Sequence, residues 1–263
     1  MNKQISIDNK YFRDYRKMLG FSSQDDAKIF LGAKDISPTV DINYIQLLNN
    51  RLSEIIDKIN GVVALEVQIE DIAAFKKLYI DQTFAIISSN NILPVLNNQG
   101  RRPEQVYYSW LRGYVLSSYF LKSIGLVFQV DTSRITLIGD DDLKNIETFR
   151  RTPKADLEIK LNTQETIRIE MQSGFTGLND IKQHKVLEAK KVYREFGFHT
   201  LAIHFDLFNG QAAFIKLDEI KDNSMNWITR QQMEGQTVFN INPNYFIWKI
   251  TDGPIKYDEI DFE

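Results

Sequence analysis

Cysteine is absent from the 263 residues. That excludes disulfides and thiolate metal sites, and it sets a reducing, cytoplasmic compartment as the expectation. Histidine is scarce: His184, His199 and His204 are the only three, with no metal-ligand spacing and no evident nucleophile partner. No apolar run approaches the roughly 20 residues that cross a bilayer, so no membrane span is expected. The opening stretch, MNKQISIDNKYFRDYRK, lacks the apolar segment of a secretory signal. Positive charge is not in excess, with 32 Lys and Arg against 35 Asp and Glu and a net charge of −3. This argues against a nonspecific polyanion binder, which draws its affinity from neutralised phosphates, but it leaves room for a local basic cleft. Internal repeats and low-complexity tracts are also missing.

What remains is ordinary for a globular chain: 43% hydrophobic and 25% charged residues. The length fits one large domain, or a catalytic core with a helical appendage. Residues 1–98 read as a mainly helical region, serving dimerisation or DNA binding. Within it, Ile45, Leu48, Leu52, Ile55, Ile56 and Ile59 recur at helical spacing over 43–62. A further helix or helix pair is predicted over 65–89. NNILPVLNNQGRRPEQ is a break. Residues 99–220 read as the core. A long apolar helix spans 104–124, entered after Pro103 and closed by Gly125. LVFQVD and RITLIGD follow as strand candidates, then LEIKL and IRIEM as a hairpin. An amphipathic helix is expected over 178–196, ended by Gly197, and then the strands TLAIHFDLF and QAAFIKL. Residues 221–263 form an aromatic, Asn-rich extension that could contact DNA. The order predicts an α/β (α+β) fold, a mixed central sheet flanked by helices.

The hairpin carries the chemistry. Alternation puts Leu157, Ile159 and Leu161 on one face of the first strand, with Asp156, Glu158 and Lys160 on the other. In the second strand Ile167, Ile169 and Met171 oppose Arg168, Glu170 and Gln172. With both apolar rows in one core, the acids become cross-strand neighbours, and opposed like charges destabilise a sheet. A Mg²⁺ ion would relieve that repulsion. Asp156 and Glu170, with a backbone carbonyl, offer the hard oxygen ligands it prefers.

TPKAD followed by EMQ resembles the signature of the PD-(D/E)xK nuclease superfamily, which includes many type II restriction endonucleases. The resemblance covers about 104–217. It implies a restriction-endonuclease-like core and a Mg²⁺-dependent cut in double-stranded DNA, with Mn²⁺ able to substitute. Asp156 and Glu170 would be the metal ligands, and Asp156, Glu170 and Gln172 the catalytic set. Two features depart from the pattern. The proline is displaced to Pro153, and Gln172 stands where the family has lysine. Glutamine cannot act as a base near pH 7, although its amide can hold a water; more of the activation then falls on the metal. Lys182 and Lys185 could supply positive charge nearby, and Glu104 is a possible auxiliary acid. Glu158 is read as a neighbour of the site.

DNA contacts are expected from Arg101, Arg102, Arg112, Arg150, Arg151 and Lys154 at phosphates. Ser173, Thr176, Asn179, Lys182 and Lys185 follow the acid-x-Gln strand, while TRQQ and NINPN are further candidates for base reading. Tyr107, Tyr108, Trp110, Tyr114 and Tyr119 read as core. The resemblance further implies a homodimer cutting a short palindrome, with a companion DNA methyltransferase. The alternatives are a non-catalytic DNA-binding module on the same fold, a repair or recombination nuclease, and a protein-interaction scaffold.

Overall fold

A computed structural model gives the fold and describes residues 8–96, 101–139, 154–162, 165–230 and 235–262. The chain begins with α1 (Asn9–Met18) and α2 (Gln24–Leu31), each started by a side chain, from Asp8 and Ser23, that accepts a backbone N–H of the first turn. α3 (Ile42–Asn60) is capped in the same way by Asp41 and buries Ile45, Leu52, Ile56 and Ile59. α4 (Ile72–Lys76), a π-helical stretch (Lys77–Gln82) and α5 (Thr83–Ser89) run on from one another.

The long helix, α6 (Pro103–Phe128), buries Tyr107, Trp110, Leu111, Val115, Tyr119, Phe120 and Ile124. It runs past the predicted stop. Gly125 lies inside it, where a Cβ would come 3.1 Å from the Val130 carbonyl oxygen. The cap is Gln129, in the left-handed region at φ 53°. Leu126–Phe128, expected in a strand, is therefore the last helical turn. A short apolar run has no period of its own, and here Val127 and Phe128 extend the buried face of the helix.

Among the described residues six strands form the main sheet, in spatial order β1 (Ile135–Leu137), β2 (Leu157–Lys160), β3 (Thr166–Gly174), β5 (His199–Asp206), β6 (Gln211–Lys216) and β9 (Phe246–Lys249). β3 and β5 are parallel and the other neighbours antiparallel. A parallel pair needs a crossover, supplied by α7 (Gln183–Phe196), which Gly197 ends at φ 73°. The helix starts later than predicted, because 180–182 belong to β4 (Asp180–Lys182). That strand joins β8 (Gln236–Asn240) and β7 (Trp227–Arg230) in a small second sheet.

Strand alternation divides the core. Leu157, Ile159, Ile167, Ile169, Met171, Leu201, Ile203 and Phe205 pack against the helical layer, with Phe120 stacked on Phe205 at 4.0 Å. On the opposite face Ala202, Ala213 and Ile215 meet Val186 and Ala189 of α7, and Ile181 and Phe239 of the small sheet. The fold is mixed α/β with a helical N-terminal region. Its central order is α6, β1 to β4, α7, β5. No described helix is long and apolar enough to cross a membrane.

Candidate active site

Asp156 precedes β2. Leu157 stands opposite Ile169, so one further step of the register would set Asp156 opposite Glu170. The backbone departs there: Asp156 N–H donates to the Ile169 carbonyl. With β2 begun a residue later, the Asp156 carboxylate accepts the Met171 N–H at 2.6 Å. The side chain thus stands in for a missing strand residue and is held beside Glu170.

Glu170 is buried, at 4% exposure, on the α7 face of β3. Lys185, in the first turn of α7, places its ammonium 2.8 Å from Oε1 and 3.0 Å from Oε2. Lys154, Arg168, Glu188 and Thr200 join this pair around a cavity of about 10 Å³, room for a single water. Glu158 faces Arg168 across the strands, with their charged atoms 3.4 Å apart. Cations of the chain itself thus stand at Glu170 and Glu158, and the positive charge expected from Lys185 is there.

Gln172 is half-buried on the same face and shares register with His204 of β5. A polar network lies beyond it. Fully buried Asp206 accepts from the side chains of Asn179, Asn209 and Gln211 at 2.9, 2.7 and 3.3 Å. Asn179 Oδ1 lies 2.8 Å from His204 Nε2. These bonds hold the Asp206 carboxyl below its ordinary range against the opposing effect of burial. Gly174 is required where the network approaches β3: a Cβ there would sit 2.6 Å from Asn179 Oδ1 and 2.9 Å from His204 Nε2. Asn179, expected at DNA, is thus buried and used inside the fold.

The other predicted residues divide. Arg101, Arg102, Lys154, Thr176 and Lys182 are exposed, and Ser173 is half-buried. Lys185 is engaged by Glu170 rather than offered freely to DNA. Arg112 lies over the Phe175 ring at 3.6 Å. Glu104 makes its bonds elsewhere than the hairpin, accepting the Asp41 N–H at 2.7 Å at the start of α3. Asn242 and Asn244 line an open groove of about 800 Å³ with Tyr245, Phe214 and Lys216. Arg150, Arg151, Pro153, Gln231 and Gln232 lie outside the described residues.

His199, Asp218 and Glu219 are a group the sequence did not reveal, since β5 and the turn after β6 bring them together. Their ligand atoms lie within 4.8 Å of one another. Asp218 is already committed, accepting the Thr200 N–H at 2.8 Å and meeting His199 Nδ1 at 2.7 Å. This trio pins the turn to β5.

The Asp156–Glu170 pair offers carboxylate oxygen, a donor set that fits a hard divalent ion. Lys185 supplies the positive charge that such an ion would bring to Glu170.

No family model and no curated protein matches the chain. Among solved structures it is similar to Hjc, a Holliday junction resolvase from Archaeoglobus fulgidus, described as an archaeal hyperthermophile. Identity is 12% over 48% of this chain and 87% of that one, with a TM-score of 0.31. A likeness this distant says nothing about activity.

Proposed function

We propose that the chain is a Mg²⁺-dependent endonuclease that cuts double-stranded DNA at a short specific site, in the manner of a type II restriction enzyme. The observation that carries this reading is the β2–β3 register. Just beyond its last pair, Leu157 with Ile169, the Asp156 carboxylate accepts the Met171 N–H next to Glu170, and Gln172 lies two residues along β3 on the Glu170 face, which supports the reading. Asp156 and Glu170 would hold the metal, which when bound would supply charge at the scissile phosphate and lower the pKa of a water. Gln172 accepts a hydrogen bond from the attacking water and orients it. Lys185 keeps positive charge at Glu170, where the phosphate arrives. Water oxygen bonds to phosphorus, the P–O3′ bond breaks, and the proton ends on the 3′ oxygen. Exposed Arg101, Arg102, Lys154 and Lys182 meet phosphates, with Ser173 and Thr176 near the bases. The active form is a homodimer whose own genome is protected by a companion methyltransferase.

The test is incubation of methylation-free phage DNA with Mg²⁺. Discrete fragments, lost in Asp156→Ala, are the expected result. Cutting confined to branched DNA would move the assignment to a recombination nuclease. Binding without cutting, in Mg²⁺ and Mn²⁺ alike, would move it to a non-catalytic module.

A further inference from the structure

Gln172 is the residue by which this chain departs from the resemblance, and the structure places an unusual neighbour beside it. His204 shares its register on the adjacent parallel strand, so the two side chains project from the same face as nearest cross-strand neighbours. His204 is 3% exposed. Its Nε2 faces Asn179 Oδ1 at 2.8 Å. Asn179 Nδ2 donates to Asp206, which makes Oδ1 the acceptor and gives the imidazole proton to Nε2. Nδ1 is therefore a lone pair, buried and without a hydrogen-bond partner among the described residues. An unmet buried acceptor is costly, so such a group calls for an explanation.

The register supplies one. The Nε2–Cε1 edge of the ring packs against Gly174 of β3, 2.9 and 3.5 Å from where a Cβ would stand, and Gln172 lies two residues back on β3, opposite His204. Among the described residues the Gln172 amide makes no side-chain hydrogen bond. We infer that His204 is the positioning residue for Gln172: a turn of the half-buried Gln172 side chain would give its amide N–H to Nδ1, a bond not made in this structure, and leave Oε1 to hold the attacking water. Asp206 and Asn179 fix the tautomer, and Gly174 admits the ring. Burial pushes the imidazole down to about 4, so the lone pair persists at neutral pH. Glutamine suits this neighbour because it donates at one atom and accepts at the other. A lysine ammonium donates only and would leave the water without its acceptor.

The proposal rests on the nuclease reading for its purpose, but its first test does not need cleavage. Protein labelled with ¹⁵N-histidine is examined by NMR in Mg²⁺ buffer, with His204 assigned through His204→Phe. The expected result is a deprotonated Nδ1 resonance, moved upfield by its hydrogen bond and shifted downfield in Gln172→Leu. A protonated Nδ1, or the same resonance in both proteins, would overturn the pairing whatever the activity. Cleavage rates then test its role. Gln172→Leu and His204→Phe should each lose about 10- to 100-fold, and the double variant should be no slower than the worse single. Losses that multiply in the double variant would show that His204 acts through the fold alone. If the NMR shift appears and no variant, nor the parent, cuts DNA, the nuclease reading fails and the pairing stands.

Discussion

Lys185 meets both carboxylate oxygens of Glu170, which is itself 4% exposed. Removing the ammonium takes a close cation from a buried charge. Lys185→Met should cost about 3 kcal/mol, read by urea unfolding, and Lys185→Met/Glu170→Gln should recover most of it. Unchanged stability in the single variant would show that the carboxylate is better solvated than its burial implies. His204 gives a prediction in pH. Folding holds the imidazole at about 4 against an ordinary 6.5, so below 6.5 the unfolded chain binds the extra proton. Its contribution is complete above pH 6.5 and is lost as pH falls toward 4, at most about 3 kcal/mol. Between pH 7 and 4.5 the parent should lose more stability than His204→Asn, with all other groups cancelling in the comparison. At this scale the sequence named Asp156, Glu170, Gln172 and Lys185, because alternation and spacing are local. It could not show that Lys185 reaches Glu170, that Asn179 turns inward, or that His199 meets Asp218, since each depends on contacts between separate elements.

Two glycines separate packing from propensity. Gly174→Ala would drive a Cβ against Asn179 and His204 and should destabilise by about 1–3 kcal/mol. Gly113, inside α6, has nothing within 4 Å of where its Cβ would stand. Gly113→Ala should therefore stabilise by about 0.5–1 kcal/mol. Thermal unfolding of both variants checks the pair, and equal effects would contradict this geometry. Periodicity predicted α3, most of α6, the β2–β3 hairpin, α7, β5 and β6. It missed the last turn of α6 because Leu126–Phe128 is too short a run to choose between helix and strand. It missed β4 because Asp180–Lys182 pairs with β8, sixty residues away along the chain and invisible to any local window.

At the scale of the molecule, a net charge of −3 leaves DNA binding to a local cluster of cations. Replacing Arg101, Arg102 and Lys154 together with alanine should weaken binding uniformly across sequences. The slope of log K against log salt should fall by roughly 0.9 per lost contact. An unchanged slope would place the phosphate contacts elsewhere. The C-terminal region stayed unread in the sequence because its strands are short and two of the pairings are long-range: β9 with β6 and β8 with β4.

The proposed cleavage requires Asp156 and Glu170 to share one divalent ion. Calorimetric titration with Mn²⁺ tests this without any DNA. The prediction is a single site in the parent protein, lost in Asp156→Asn and in Glu170→Gln, and kept in Glu219→Gln. Equal binding by the parent and Asp156→Asn, or loss in Glu219→Gln alone, would contradict it.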